Sequence, residues 1–354
     1  MSYTPSRHDS GDEVVTSPQA SKKAATIYDV AKRAGVSHQT VTRFLHGFEG
    51  IRPATRDRVE EAIQELGYRP NAAARMLRLQ QNNRIGILAD RIDDNGPTRI
   101  VNAASEYARS CGYLVDIAVS DGGDPGSVAS SLAVLTEHHV AGILATAQTR
   151  VILEQLKELQ YDGPLIVAPV QDVQASDQPV NELAGALAAK HLLSLGHQRF
   201  GYLSGPEPWL ASQGRVKGFV DAVESAGATV VWRRWGDWTP ASGYRVWQEL
   251  NANERKVTAV GVANDRMAIG LMAASVDSGI LVPRDLSVVG TDDAPEARYL
   301  RPSLTTIKMQ FEQEGQSLMK ALIARIEDEE LVSSEGDLDP LLVVRDSTGA
   351  LQKQ

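Results

Sequence analysis

Cysteine is almost missing from this 354-residue chain. Cys111 is the only one, which excludes an intrachain disulfide and any cysteine-rich metal site. Standing after a helix-like stretch and before Gly112, it reads as a small buried hydrophobe. Aromatic residues are also few, at 5%, but 42% apolar residues over this length suit globular α/β domains rather than a disordered chain. No run approaches the roughly 18 unbroken apolar residues of a membrane span. The opening MSYTPSRHDSGDEVVTSPQASKK lacks the apolar core of an export signal, so a cytoplasmic protein without a membrane partner is expected. There is no GxGxxG dinucleotide loop, no GxxxxGK phosphate loop, no HExxH and no GxSxG, and the seven His show no metal-ligand spacing. These gaps argue against an enzyme and leave no cofactor or metal to assign.

Charge is the first positive signal. Residues 22–84 hold twelve Lys plus Arg against six Asp plus Glu, a local +6 in a chain of net charge -9; residues 1–21 carry -2, so the remainder carries -13. A basic module on an acidic body is the footprint of phosphate binding. The first 25 residues, rich in Ser, Thr, Asp and Pro without periodicity, read as a disordered tail.

The basic segment contains TIYDVAKRAGVSHQTVTRFLHGFEGIRPATRDRVEEAIQELGYRPNAAARMLR. Ile27, Val30 and Ala31 give a short apolar stripe that must stop at Gly35, and Ser37 offers the N-cap of a second helix. In that helix Val41, Phe44, Leu45 and Phe48 fall at i, i+3, i+4 and i+7, leaving Gln39, Arg43 and His46 on the opposite face. A third helix is expected over 54–66, with Val59, Ile63 and Leu66 inward and Gly67 as its left-handed stop. A helix that buries one stripe and presents Gln, Arg and His outward suits the major groove of DNA, where Gln can pair with adenine and Arg with guanine. His38 and Gln39, in its first turn, would lie nearest the bases. A solvated amphipathic bundle would show the same periodicity, but not the same local charge.

From residue 84 the texture changes to short apolar runs between helix-length segments: IGILA, LVDIAV, AGILATA and LIVAP, then RFGYLSG, AVGVAND and LSVVGTDD. This alternation predicts two doubly wound parallel sheets, with ligands bound beyond the strands' carboxyl ends. Asp90, Asn264, Asp265 and Asp292 stand at such ends, although Asp265 equally suits a plain helix N-cap.

The segment TIYDVAKRAGVSHQTVTRFL, continued by GYRPNAAARML, closely resembles the DNA-binding start and hinge of the lactose-repressor (LacI/GalR) family of bacterial transcription regulators. HLLSLGHQRFGYLSGP, RVKGF, VANDRMAIGLM, LSVVGTDD and RPSLTTIKMQF extend the resemblance over nearly the whole chain beyond residue 25. It implies an all-α helix-turn-helix headpiece over 26–70, a hinge helix and linker over 71–83, and a two-lobed, periplasmic-binding-protein-like α/β core over 84–354. It also implies a DNA-facing set of Tyr28, Ser37, His38, Gln39, Thr40, Thr42, Arg43, His46, Thr55, Tyr68, Asn71, Ala74 and Leu77. Asn71 can cap a hinge helix too short to form alone in water, and Leu77 would wedge into the minor groove at the operator centre.

For the lobes the resemblance implies an effector gripped by Arg215, hydrogen-bonded by Asn264 and Asp292, and covered by Trp238, as the apolar face of a sugar requires. Trp232 and Trp235 lie close by, and any of the three could be simple packing. The pattern departs at Val180-Asn181-Glu182-Leu183-Ala184, where many family members show Asp-Asn-x-x-Gly, so an acidic contact is missing or supplied by Asp172 or Asp177. Met309 stands where the family's namesake has glutamine, and Asp90 where it has serine.

The expectation is therefore a repressor of palindromic operators, controlled by a small molecule, a sugar of galactoside-like kind, that releases it from DNA. Half-sites call for a homodimer, and the ending LDPLLVVRDSTGALQKQ has no leucine heptad for a tetramer. A sugar-binding transport receptor is the alternative; the basic headpiece and absent export signal oppose it.

Overall fold

The computed structural model describes residues 25–45, 51–66, 83–90, 95–146, 148–168, 179–328 and 338–351. The chain divides into two compact units, Met1–Leu79 and Gln80–Gln354.

In the first unit, helix α1 (Ile27–Ala34) begins with a reciprocal cap. Thr26 Oγ1 accepts the Asp29 amide at 3.3 Å, and the Asp29 carboxylate accepts the Thr26 amide at 2.8 Å. The helix stops at Gly35, whose φ of 65° and ψ of 40° lie in the left-handed region that a side chain resists. Ser37 then caps α2 (His38–Leu45), its Oγ accepting the Thr40 amide at 3.2 Å. Helix α3 (Pro53–Leu66) opens on a proline, whose missing N–H costs nothing in a first turn. Val30, Ala31, Ala34, Val41, Val59 and Ala62 form the core, with Ile27, Val36, Phe44 and Ile63 packed against it.

One expectation changes here. Leu66 does not face inward but is 37% exposed, and Ala62, one turn earlier, is buried instead. The stripe of α3 runs Val59, Ala62, Ile63 and ends before the last turn. Phe48, Gly67, the tail and the hinge helix lie outside the described residues.

The second unit is built on two sheets. The first has order β2-β1-β3-β4 and is all parallel, from β1 (Arg84–Asp90), β2 (Leu114–Ser120), β3 (Gly142–Thr146) and β4 (Leu165–Ala168). The second has order β10-β9-β8-β7-β5-β6, from β5 (Arg199–Ser204), β6 (Thr229–Trp235), β7 (Ala259–Val262), β8 (Ser287–Thr291), β9 (Thr305–Lys308) and β10 (Leu341–Val343). Strand β10 runs antiparallel to β9, so the second sheet is parallel except at this edge. Helices connect the strands: α4 (Asn95–Ser110), α5 (Pro125–Glu137) and α6 (Arg150–Glu158) in the first lobe, α7 (Val180–Ser194), α8 (Leu210–Ser225), α9 (Pro240–Glu249) and α10 (Asp265–Asp277) in the second. Helix α11 (Phe311–Ile326) follows β9 of the second sheet yet packs on α4, β3 and β4 of the first, so it links the lobes.

Strand β1 shows why these strands read as unbroken apolar runs. Ile85, Ile87 and Ala89 join one core cluster and Leu88 another, so both faces are covered. Strand β6, an edge strand with Arg233, Arg234 and Trp235 exposed, lacks that signature and does not stand out in the sequence. Cys111, just past α4, is half-buried against the core rather than fully enclosed, because it leaves the helix at its last turn.

Candidate functional site

Two surfaces carry the predicted site residues. On the first unit, Tyr28, Ser37, His38, Gln39 and Arg43 are all exposed, while Thr40 and Thr55 are half-buried. Burying Val41 forces this, because residues two before and two after it on α2 turn outward. Tyr28, 60% exposed, stacks at a tilt on His38 with ring centroids 5.3 Å apart, which joins α1 to the first turn of α2. The Thr42 side chain, His46, Tyr68, Asn71, Ala74 and Leu77 lie outside the described residues.

On the second unit a cavity opens between the lobes, with a volume of about 700 Å³ that includes solvent at its mouth. Five of the six predicted effector residues line it: Arg215, Trp238, Asn264, Asp292 and Met309. Asp90 does not. It is 1% exposed at the end of β1, and its carboxylate accepts the Gly122 amide at 3.2 Å, turned towards the loop after β2.

Arg215 is set by close packing of α7 on α8. A Cβ at Gly185 would fall 2.0 Å from the Arg215 carbonyl, and one at Gly218 would fall 1.9 Å from the Glu182 carbonyl, so neither helix could approach with a side chain there. The guanidinium donates to the Ala263 carbonyl at the end of β7, to Asn181 Oδ1 at 3.1 Å and to Asp292 Oδ1 at 3.1 Å. Both charged side chains are over 90% buried. Such a pair repays its desolvation only when its hydrogen bonds are filled, and removing one partner strands a charge. Asp172 and Asp177 lie outside the described residues; Asn181, in the departing motif, is the residue that meets Arg215.

Asp292 follows β8 with φ of 108°, a conformation uncommon for a side-chain-bearing residue. Its amide donates to the Ile307 carbonyl at 2.8 Å, and its carbonyl accepts Arg99 Nη1 at 2.8 Å, from the first lobe. Beneath it, Asp265 is fully enclosed, accepting Thr306 Oγ1 at 2.6 Å and the Ala294 amide at 2.7 Å. Burial, with the nearby Asp292 charge adding to it, holds the Asp265 carboxyl well above the usual range, so it braces the loop and does not face the cavity.

Asn264 is the N-cap of α10: Oδ1 accepts the Met267 amide at 2.8 Å, and Nδ2 donates to the Trp238 carbonyl at 3.0 Å. It positions Trp238, which also has positive φ, 69°. The Trp238 indole packs edge-on to Trp209, centroids 5.5 Å apart, and is 4% exposed. Its Nε1 is buried and has no hydrogen-bond partner among the described residues. Trp232 instead donates to the Glu254 carbonyl at 3.1 Å, and Trp235 is 41% exposed. Of the three neighbouring tryptophans, only Trp238 lines the cavity.

Trp209, Phe311, Gln148, Asn181 and Glu314 also line it and were not among the predicted contacts. Glu314 had a signal. Phe311, Glu314, Gly315, Leu318, Met319, Leu322 and Ile323 follow helical spacing, and all but Glu314 are buried and apolar or glycine. An acid in the inward stripe of a helix is a departure that periodicity alone exposes. Burial pushes its carboxyl up to about 7, with Arg215 pulling the other way. The side chain lies deep among protein atoms but keeps part of its surface open to the cavity.

Among the described residues no group of His, Cys, Asp and Glu could hold a metal ion. No described helix is long and apolar enough to cross a membrane.

Comparison with known proteins gives two family matches. Residues 26–71 match the bacterial regulatory proteins of the lacI family, and residues 189–348 match the periplasmic binding protein-like domain. Among curated relatives, the HTH-type transcriptional repressor PurR of Klebsiella pneumoniae (strain 342) is 31% identical over 331 residues, 91% of this chain and 96% of that protein. PurR of Edwardsiella ictaluri (strain 93-146) is 32% identical over the same shares. Among solved structures, the lac repressor dimer bound to operator and the anti-inducer ONPF aligns with a TM-score of 0.68 and 30% identity, covering 93% of this chain and all of that one. The CelR–cellobiose complex, a transcriptional regulator, aligns with a TM-score of 0.64 and 26% identity over 91% of this chain and 99% of that one.

Proposed function

Since the chain belongs to the LacI family of bacterial regulatory proteins and is a DNA-binding transcriptional repressor rather than an enzyme, we propose that a sugar bound between the lobes sets its affinity for a palindromic operator. The carrying observation is the buried Trp238 N–H left without a partner among the described residues, on a side chain that lines the same cavity as the Arg215–Asp292 pair. A buried donor without an acceptor is costly, and a ligand oxygen would relieve it. Indole faces over apolar C–H groups, with Arg and Asp on hydroxyls, are what selective sugar binding needs. Related regulators have been solved with ONPG and with cellobiose.

A planar nitrogen heterocycle is the second reading, favoured by three aromatic side chains, Trp209, Trp238 and Phe311, in the lining. Trp238→Phe separates the two. It removes the N–H but keeps a flat ring, so it should weaken a sugar that accepts from Nε1 and spare a ligand held by stacking.

On DNA, the exposed row of His38, Gln39 and Arg43 is proposed to read the major groove, with Leu77 as a minor-groove wedge. Purified protein should retard a palindromic fragment of its own promoter and not scrambled DNA. Leu77→Ala should weaken specific binding far more than nonspecific binding; equal losses would remove the wedge. A homodimer is supported by Leu114, Ile117 and Val119, about half-exposed on edge strand β2, where a second copy would bury them. Effector occupancy is proposed to change the lobe angle and release the operator.

A further inference from the structure

The cavity holds one carboxyl that no described residue hydrogen-bonds. Arg215 and Asp292 neutralise each other across 3.1 Å. Arg99, the other guanidinium at this junction, gives Nε and Nη2 to Glu312 at 2.6 and 2.9 Å and Nη1 to the Asp292 carbonyl. Glu314, one turn into α11, accepts no side-chain or backbone donor among the described residues, and it lines the same cavity as Trp238, whose buried Nε1 has no partner among them.

Its placement is firm. A Cβ at the neighbouring Gly315 would fall 2.3 Å from the Ile100 carbonyl, so α11 lies directly on α4 and cannot roll Glu314 away, while Phe311 and Leu318 on the same stripe are buried. A leucine or methionine there would pack without the cost of burying an acid. The acid is tolerable if a ligand answers it. Burial raises its carboxyl to about 7, so above neutral pH it is ionised and able to accept a hydrogen bond.

We infer that Glu314 is a specificity-determining contact: it accepts a hydrogen bond from a hydroxyl or N–H group of a neutral or cationic effector and turns anionic ligands away. This rests on reading the cavity as the effector site. With Arg215 already cancelled by Asp292, an ionised Glu314 leaves the lining net negative, so a phosphate or carboxylate would meet repulsion where it needs a cation. A sugar would add an acceptor for the Trp238 N–H, whereas a nitrogen base would be held by stacking. Sugars and nitrogen bases both offer a donor and an acceptor; sugar phosphates and uronic acids add the wrong charge.

The test uses full-length protein, melting curves and tryptophan fluorescence, and four sets of single compounds. These are neutral sugars (glucose, galactose, lactose, cellobiose), amino sugars (glucosamine, galactosamine), purines (adenine, hypoxanthine, adenosine) and anions (glucose 6-phosphate, galactose 1-phosphate, glucuronate). The expected binder comes from the first three sets. Glu314→Leu should weaken it at least tenfold. Glu314→Gln, which keeps shape and an acceptor oxygen, should weaken it less and admit an anionic counterpart. Whether the sugar or the purine set binds identifies the source of the donor. A binder from the anionic set overturns the inference. So does a binder that loses affinity in Arg215→Lys but changes less than twofold in both Glu314 variants; that result leaves the effector site standing and removes only Glu314. If no compound changes melting or fluorescence, the effector site itself fails and the inference falls with it.

Discussion

The outer face of α2 and the wall of the interlobe cavity are built on opposite principles. On α2, burial of Val41 against α1 and α3 pushes His38, Gln39 and Arg43 into solvent, and neighbouring residues in the sequence make the whole surface. In the cavity, side chains from positions 97 to 314 converge; Arg215 and Asp292, 77 residues apart, form one buried pair. Energy follows the same division. A solvated reading residue can be replaced at little cost to folding, whereas a cavity residue holds its neighbours in place.

Arg215→Ala is the most severe way to sharpen this contrast. It leaves Asp292 buried without its cation, so stability should fall by about 3–5 kcal/mol in urea unfolding, with effector binding lost. A loss below about 1 kcal/mol would mean that the pair is not a keystone of the second lobe.

Glu314→Gln is expected to act in the other direction, and with pH. The folded carboxyl titrates near 7 and the unfolded one near 4.5, so the unfolded chain releases its proton first as pH rises. Parent stability should therefore fall between about pH 4.5 and 7, and the variant should be spared. The variant should match the parent near pH 4 and exceed it by on the order of 2–3 kcal/mol at pH 8. Melting curves of both proteins across this range check the sign; parallel curves would contradict an acid kept protonated by burial.

Arg43→Ala should be its mirror image on α2. Operator affinity should drop by about 1–3 kcal/mol with relaxed preference at one base pair, while melting stays within about 0.5 kcal/mol of the parent. Smallest of all, Thr26→Ala removes the reciprocal cap of α1 and should cost the first unit about 1 kcal/mol without altering ligand titrations of the second.

The same contrast explains what the sequence disclosed. The caps at Thr26 and Ser37, the stop at Gly35 and the strands around Ile85–Ala89 depend on near neighbours and doubly covered faces, so spacing reveals them. Strand-end position pointed to Asn264 and Asp292 and family resemblance supplied Arg215, Trp238 and Met309, but neither gave the division of labour among them: Asn264 caps a helix and holds Trp238 in place. Asp90 shows the limit of position at a strand end, since its carboxylate serves the Gly122 amide. Trp209 and Gln148 were hidden because their role comes from a cross-lobe contact, in which the Leu210 amide donates to the Gln148 carbonyl at 2.8 Å. Glu314 was legible as an acid within an apolar stripe, but its meaning required knowing that α11 returns to the first lobe.

Coupling between the two surfaces is most directly tested by the affinity of the full-length protein for a labelled palindromic promoter fragment, measured by fluorescence anisotropy at fixed salt. Titrations are compared without ligand and with a ligand already shown to saturate the cavity. Operator binding should weaken about 5- to 150-fold on saturation, the range of an ordinary allosteric coupling. An unchanged affinity at full occupancy would contradict the account.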